Sequence, residues 1–264
     1  MKSLTFVQHG AREGQDAWPN VLTPPFSTLS IDSLGNPRIH PYWTARSVFN
    51  LLPAASATAG KDDLTLSLGT GTEVIARATK AGINVKTQAS TPADNDNAMI
   101  IAAVSSGMLA PLTAVSQPRL VTRVNLTQIT ELVFGAGLDE NQTSPVSSAT
   151  AGDGAGFYFD PAGEVTTGGA VGNWICTQKV AGADTYIDSL VPVQAGRDYN
   201  LDVKYGPDLK PLYYIDGILV ATSTVAGTSA AVIGAMVGVQ INAGSPAGQK
   251  DFDIRYLSVE RFFG

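Results

Sequence analysis

The chain has 264 residues and a formal net charge of −6, and only 15% of its residues are charged. This length suits one large domain with an extension better than two full domains and a linker. The 17 basic residues form no run of three, which argues against a nucleic-acid-binding surface, and the longest apolar stretch, residues 99–104, is far shorter than the ~18 residues that a membrane span needs.

Residues 1–58 differ from the rest of the chain because prolines are frequent in them. Proline disfavours regular strands and helices, so the segment predicts an extended arm, with one short helix over residues 45–52 that Pro53 ends. The arm also carries aromatic residues, which disordered tails lack. Two interpretations stay open: the arm packs on its own domain, or it contacts another protein. The candidate contact residues are Trp18, Phe26, Tyr42, Trp43 and Phe49.

Residues 59–264 show the short alternating apolar runs and glycine-containing turns that are typical of β-strands. Leu64, Leu66 and Leu68 alternate with polar residues, and comparable runs recur to the end of the chain. The pattern predicts about a dozen strands and no strong helix, which favours an antiparallel sandwich of two sheets. We therefore predict an all-β domain over residues 59–264, preceded by the arm over residues 1–58.

The single cysteine, Cys176, lies between Ile175 and Thr177 in a predicted strand, a position typical of a small buried apolar residue. Because no intrachain disulfide can form, the fold needs no oxidising compartment. The start of the chain has no apolar stretch of the kind that a signal peptide needs. Synthesis in a cytoplasm is therefore expected.

The clearest strand pattern lies in residues 195–224. Tyr199, Leu201, Val203 and Tyr205 alternate with polar residues, and a later pair of strands turns sharply at Asp216-Gly217. Together with the closing strand in residues 249–264, this segment resembles the second half of concanavalin A-like and laminin-G-like jelly rolls. The resemblance implies a two-sheet jelly-roll sandwich and leaves the function undecided, because that fold carries lectins, glycosidases and structural modules.

A second resemblance lies in residues 61–103, where glycine-cornered turns are followed by an acidic turn and a buried strand. This order is similar to that of tailed-bacteriophage capsid-associated proteins with lectin-like sandwiches, and the resemblance extends over residues 62–264. It implies a structural role on a virion. The matching segments are Thr70-Gly71-Thr72, Ala81-Gly82-Ile83 and Asp94-Asn95-Asp96-Asn97.

Residues that could carry catalysis are few. His9 and His40 are the only histidines and lack the spacing of a zinc site. Glycosidases need two carboxylates about 5–9 Å apart, and no carboxylate pair of this chain has the E-x-D-x-x-E arrangement that such enzymes of this fold use. We therefore expect no enzymatic activity, no catalytic residue and no cofactor. The nearest pairs are Asp198/Asp202, Asp251/Asp253 and Asp184/Asp188.

A calcium site and a sugar site are both conceivable, and each set of residues also has a purely structural explanation. The oxygen-rich turn at residues 94–97 matches the ligand chemistry of Ca²⁺, but such turns also form without metal, and we assign no metal site. Sugar binding would use an exposed aromatic ring beside polar groups, although most aromatic residues on strands lie in the core. Tyr213 and Tyr214 are neighbours and must point to opposite faces. The available aromatic residues are Tyr158, Trp174, Tyr186, Tyr213 and Tyr214.

These observations favour a non-enzymatic virion protein that decorates or stabilises a bacteriophage capsid. Its arm would bury aromatic side chains between capsid subunits, because apolar burial supplies association energy. The expected partners are the major capsid protein or other virion proteins and further copies of the chain in a dimer or trimer, with neither nucleic acid nor membrane, and the expected location is the capsid surface. The alternative is a carbohydrate-binding module of a tail fibre or host-recognition appendage, and weak glycan binding is compatible with both.

Overall fold

The computed structural model describes residues 27–31, 37–48, 64–68, 76–77, 82–87, 93–94, 96–102, 112–140, 152–162, 172–242 and 248–263. These residues form sixteen strands and one 3-10 turn, Ala114–Ser116, and contain no α-helix. None of them belongs to a helix long and apolar enough to cross a membrane. The strands are β1 Ser27–Ile31, β2 Pro37–Val48, β3 Leu64–Leu68, β4 Ala76–Arg77, β5 Ile83–Lys86, β6 Asn97–Ala102, β7 Arg119–Leu126, β8 Leu132–Asp139, β9 Gly154–Phe159, β10 Asn173–Val180, β11 Ala183–Pro192, β12 Asp198–Tyr205, β13 Pro211–Ile215, β14 Ile218–Thr222, β15 Gly234–Ile241 and β16 Asp251–Phe263.

The strands form two antiparallel sheets. The nine-stranded sheet has the order β1-β2-β16-β7-β12-β13-β14, and β5 extends it by pairing with β16 on one side and β4 on the other. The seven-stranded sheet has the order β11-β10-β9-β8-β15-β6-β3. Consecutive strands often lie in different sheets, as in a jelly roll. The predicted all-β, two-sheet sandwich is confirmed.

The core lies between the two sheets and is built around Trp174 of β10, which is fully buried. The Trp174 ring meets Phe134, Phe157 and Tyr199 edge to face, at centroid distances of 5.7, 6.5 and 5.3 Å. Tyr199 comes from β12, so these contacts join the two sheets. Edge-to-face aromatic pairs contribute about 0.5–1.5 kcal/mol beyond the area that they bury.

Strand β12 follows the predicted alternation. Tyr199, Leu201, Val203 and Tyr205 are buried, and the residues between them are exposed or half-buried. The predicted corner at Asp216-Gly217 joins β13 to β14, with φ values of 52° and 80°. Two consecutive residues with positive φ are the signature of a type I′ turn, which matches the twist of the flanking strands.

Part of the proline-rich segment is regular, and here the sequence-based prediction is wrong. We expected no strand before residue 58 and a helix over residues 45–52, yet β1 and β2 lie there and β2 continues to Val48. Proline is tolerated because of where it falls. Pro37 is the first residue of β2, and Pro41 lies beyond the end of the β16 ladder and at the irregularity in the β1 ladder, so its missing N–H removes no ladder hydrogen bond.

Candidate functional site

The outer face of the seven-stranded sheet carries a second apolar cluster, separate from the core. Side chains alternate along β8, β9 and β10, so Val133, Tyr158 and Ile175 lie on the face opposite to Phe134, Phe157 and Trp174. The three are at most 5% exposed, and the half-buried Tyr186 of β11 packs against them. The central strands of this sheet therefore bury residues on both faces.

Beside this cluster, glycines form a flat floor. Gly137 of β8 lies directly opposite Gly156 of β9. A Cβ added to Gly137 would be 2.6 Å from the Ala155 carbonyl oxygen and 2.8 Å from the Gly156 Cα, so only glycine fits. The result is a shallow depression in the sheet, here called the hollow; the space of about 270 Å³ above it includes open solvent, and most of the residues that line it are buried. Its lining comprises Ala136, Gly137, Leu138, Asp139, Gly154, Ala155, Gly156, Tyr158, Thr177, Lys179, Asp184 and Met236.

One end of the hollow is polar. Strand register places Asp184, Lys179, Gly154 and Asp139 in one row across β11, β10, β9 and β8. The Lys179 Nζ lies 3.4 Å from the Asp139 Oδ2, and the two side chains are only 3% and 9% exposed. Gly154 leaves room for this contact, since a Cβ there would be 2.7 Å from the Asp139 Oδ2. Within this row Asp184 is half-buried, whereas Asp139 and Lys179 are nearly buried and paired with each other.

The loops beneath this row are held by Asp153. Its Oδ1 accepts a hydrogen bond from the Ala181 N–H at 2.8 Å, and its Oδ2 accepts one from the Thr228 N–H at 2.7 Å. Partial burial opposes ionisation, but these hydrogen bonds and the nearby Lys179 ammonium lower the pKa of Asp153 below its ordinary value. The turn from β10 to β11 is therefore fixed to the segment that precedes β15.

Tyr186 supplies a half-buried ring next to the hollow. It lies opposite Thr177, which lines the hollow, and beside the apolar cluster. Burial, together with the neighbouring Asp184 carboxylate, raises the pKa of Tyr186 to about 12. The phenol is therefore neutral at physiological pH, and its hydroxyl donates to the Asp184 carboxylate.

The structure separates the aromatic residues that the sequence offered for sugar binding. Trp174 and Tyr213 are fully buried in the core. Tyr214 is half-buried on the outer face of the nine-stranded sheet, which confirms that the two neighbouring tyrosines face opposite ways. Tyr158 lines the hollow, and Tyr186 packs beside it against the apolar cluster.

Two of the three predicted carboxylate pairs lie in ion pairs or hydrogen-bonded clusters of the nine-stranded sheet. Asp202 accepts two hydrogen bonds from the Arg119 guanidinium, at 2.9 and 2.6 Å. Asp198 is bonded to Arg123, Arg255 and Asn125. Both groups are held in place by these partners.

The second pair of the nine-stranded sheet is Asp251/Asp253, and the third pair, Asp184/Asp188, lies on β11. Asp251 and Asp253 both accept from the Asn84 side-chain amide, at 3.1 and 2.9 Å. Asp188 accepts from the Asn173 side chain at 3.0 Å, whereas Asp184 lies at the hollow. Of the predicted pairs, only Asp184/Asp188 therefore places a carboxylate at this site.

At the acidic turn, Asp96 accepts a hydrogen bond from the Ala93 N–H at 2.8 Å, and the Asp96 N–H donates to the Ala93 carbonyl at 3.2 Å. Such turns form without metal. The described residues contain no group of three or more His, Cys, Asp or Glu side chains that could hold a metal ion. Asn95 lies outside the described residues.

The predicted arm contacts cannot be placed in the same way. Trp18, Phe26 and Phe49 lie outside the described residues, and Tyr42 and Trp43 are described only as backbone positions of β2. Their role as partner contacts stays a prediction.

Sequence reasoning missed the Asp139–Lys179 pair and its glycine floor. The local signal was the repeated small residue at alternate positions in Phe-Gly-Ala-Gly-Leu of β8 and Gly-Ala-Gly-Phe of β9. Glycine inside a strand marks a close approach of another backbone or a ligand. The alternating glycines could therefore have pointed to this part of the sheet.

Comparison with solved structures supports the fold. A protein of unknown function from Shewanella oneidensis MR-1 matches with a TM-score of 0.57 and 13% identity, over 84% of this chain and 87% of that chain. A Bacillus licheniformis β-glucanase matches at 0.52 and 10%, over 79% and 95%. A structure described under endo-acting O-glycanases of human gut microbiota that initiate mucin breakdown matches at 0.52 and 11%, over 81% and 98%. No protein-family model matches the chain, and no curated protein matches it in sequence.

At this level of identity the likeness shows the fold alone, a two-sheet jelly-roll sandwich. It corrects the prediction that the chain is not an enzyme, because glycoside hydrolases recur among its structural neighbours. The missing E-x-D-x-x-E arrangement was insufficient ground for that prediction. None of these three proteins is described as a capsid or phage protein, so the resemblance to capsid-associated proteins gains no support.

Proposed function

We propose that this protein binds glycans, and that the hollow on the outer face of the seven-stranded sheet holds a sugar residue. The observation that carries the proposal is the meeting of the Asp139–Lys179–Asp184 row with the glycine floor at one hollow, beside which Tyr186 lies opposite the lining residue Thr177. The neighbours titled as a β-glucanase and as O-glycanases support it, because they act on glycans with the same fold.

The chemistry of the hollow suits a sugar ring. A pyranose has a weakly apolar face and a rim of hydroxyl groups. The floor at Gly137 and Gly156 lets a ring approach the sheet closely, and Tyr186 lies where its ring can cover an apolar face. The half-buried Asp184 carboxylate can accept hydrogen bonds from hydroxyl groups, and charge-assisted hydrogen bonds are the stronger kind.

A glycan array followed by calorimetry tests this proposal. The array identifies a ligand, and calorimetry then compares the parent protein with Tyr186→Ala and Tyr214→Ala. Loss of the Tyr186 ring is expected to weaken binding about fivefold to tenfold. Tyr214 is the matched control, because it is also half-buried but lies on the other sheet, and its removal should leave affinity unchanged. Equal effects of the two variants, or no glycan bound at all, would contradict the proposal.

The same samples decide between binding and hydrolysis. Release of new reducing ends from the bound glycan, abolished by Asp184→Asn, would make the hollow a catalytic site. Intact glycan after prolonged incubation would make it a binding site alone.

The expected virion partners, self-association, capsid location and tail-fibre alternative stay predictions, and the glycan-binding proposal does not depend on them. Co-sedimentation of the full chain with assembled phage heads, compared with sedimentation of the chain alone, tests the capsid partner.

A further inference from the structure

The electrostatics of the hollow suggest which glycans it takes, an inference that rests on the proposed function. Among the described residues that line it, Lys179 is the only cation, and two carboxylates, Asp139 and Asp184, line it as well. Lys179 already has an ion-pair partner, because its Nζ lies 3.4 Å from the Asp139 Oδ2. Its position on β10 is directly opposite Asp184 on β11.

Two more carboxylates, those of Asp153 and Glu140, lie near Lys179. The Lys179 charge lowers the pKa of Asp153, so these two groups lie within electrostatic range. A Cβ placed on Gly152 would lie 3.4 Å from the Glu140 Oε2 and 3.8 Å from the Lys179 Cε, so Glu140 is close to the lysine stem. Among the described residues, four carboxylates therefore lie near one ammonium, and their charges make this part of the sheet negative.

An acidic sugar would meet this field unfavourably. Its carboxylate or sulfate would have to displace Asp139 from Lys179, which leaves a nearly buried Asp139 side chain without its cation. It would also approach Asp184 as a like charge, and like charges brought together at an interface cost several kcal/mol. A neutral sugar avoids both costs, because its hydroxyl groups donate to the half-buried Asp184 carboxylate while the Asp139–Lys179 pair stays intact.

We propose that the hollow selects neutral glycans and excludes uronic acids, sialic acids and sulfated sugars. The selection comes from the carboxylates and not from the size of the hollow. Methyl esterification of a uronate, which removes the charge and enlarges the residue, should therefore restore binding.

Matched pairs on a glycan array test this inference. The pairs are sialylated glycans and their desialylated forms, sulfated glycans and their unsulfated forms, and oligogalacturonates and their methyl esters. We expect the neutral member of each bound pair to bind at least about tenfold more tightly. Tighter binding of the acidic members would overturn the charge argument and leave glycan binding standing. Absence of binding to every glycan would overturn the proposed function together with this inference.

Two isosteric variants identify the source of the selection. Asp184→Asn removes a half-buried carboxylate at the rim and should narrow the neutral-to-acidic affinity ratio about threefold or more. Asp216→Asn removes the same charge at the β13–β14 turn, where Asn-Gly is itself a favoured type I′ pair, and should leave the ratio unchanged. An unchanged ratio in Asp184→Asn, or an equal change in both variants, would overturn the inference.

Discussion

At the scale of single residues, Tyr213 and Tyr214 show how one step along a strand changes a role. Tyr213 is fully buried, and its hydroxyl donates to the Thr177 carbonyl of β10 at 2.6 Å, which joins the two sheets. Burial raises the pKa of Tyr213 well above its ordinary value, so this hydrogen bond is insensitive to pH in the physiological range. Tyr214 points to the opposite face and is half-buried.

Tyr213→Phe is expected to lower the free energy of unfolding by about 1–2 kcal/mol, because it removes a buried hydrogen bond and leaves its acceptor in an apolar setting. Tyr214→Phe removes the same atom from a half-buried position and should change the free energy by less than about 0.5 kcal/mol. Urea unfolding followed by tryptophan fluorescence measures both. Equal losses would mean that the hydrogen bond between the sheets adds nothing to stability.

Substitution of Gly137 tests whether the close approach of β8 and β9 depends on glycine. Gly137→Ala should cost about 2–3 kcal/mol, because its Cβ would overlap the backbone of β9 and force the strands apart. Gly217→Ala is the control: its added Cβ meets nothing within 4 Å, and only the positive φ of 80° opposes it, for about 1 kcal/mol. Chemical denaturation of the two variants separates overlap from backbone strain. A smaller cost at Gly137 than at Gly217 would contradict the close approach of β8 and β9.

At the scale of elements, Asp198 links three neighbouring strands of the nine-stranded sheet. From β12 it accepts hydrogen bonds from Arg123 and Asn125 of β7, both at 2.8 Å, and it pairs with Arg255 of β16. Partial desolvation opposes its ionisation, but the hydrogen bonds from Asn125 and Arg123 and the charge of Arg255 prevail and lower the pKa of Asp198 below 3.8. The carboxylate is therefore more stable as an anion in the folded chain than in the unfolded chain.

The sign of the pH dependence follows from linkage. A depressed carboxyl pKa stabilises the fold above the unfolded value of 3.8, and this contribution is lost as the pH falls through the folded value. Asp198→Asn should lower the free energy of unfolding by about 1–3 kcal/mol at pH 7, and the difference from the parent should shrink below pH 3.8. Unfolding titrations between pH 7 and about pH 2.5 measure it. A difference that stays constant over this range would show that Asp198 acts without its charge.

The elements also show what could be predicted from sequence. Strand β12 has one face in the core and one towards solvent, so apolar and polar residues alternate along its sequence. The Asp216-Gly217 turn is recognisable because Asp and Gly tolerate the positive φ values that it needs. Strands β8, β9 and β15 are buried along their whole length, so alternation between apolar and polar residues is lost in them. The Asp139–Lys179 pair depends on the register of β8 with β9 and of β9 with β10, and no local pattern encodes that register. The strand β2 was missed for the opposite reason, since its prolines suggested a break where the ladder permits them.

At the scale of the whole molecule, β16 organises the nine-stranded sheet from its middle. One edge pairs with β7, while the other pairs with β5 at residues 251–254 and with β2 at residues 258–263. Residues 261–263 pair with β2 alone among the described strands. The end of the chain is therefore secured by a segment that the sequence assigned to a separate arm, and the boundary predicted at residue 58 can be tested directly.

Two truncations make that test. Removal of residues 1–36 takes away the edge strand β1 and keeps the β2–β16 ladder, so the protein should stay folded and soluble. Removal of residues 1–48 also takes away β2 and leaves an unpaired edge on β16, which predicts aggregation because exposed edges recruit other strands. Size-exclusion chromatography measures the difference, and amide hydrogen exchange at residues 261–263 should be slow in the first protein and fast in the second. Soluble, equally protected proteins from both truncations would show that β2 belongs to the arm and that the sandwich is complete without it.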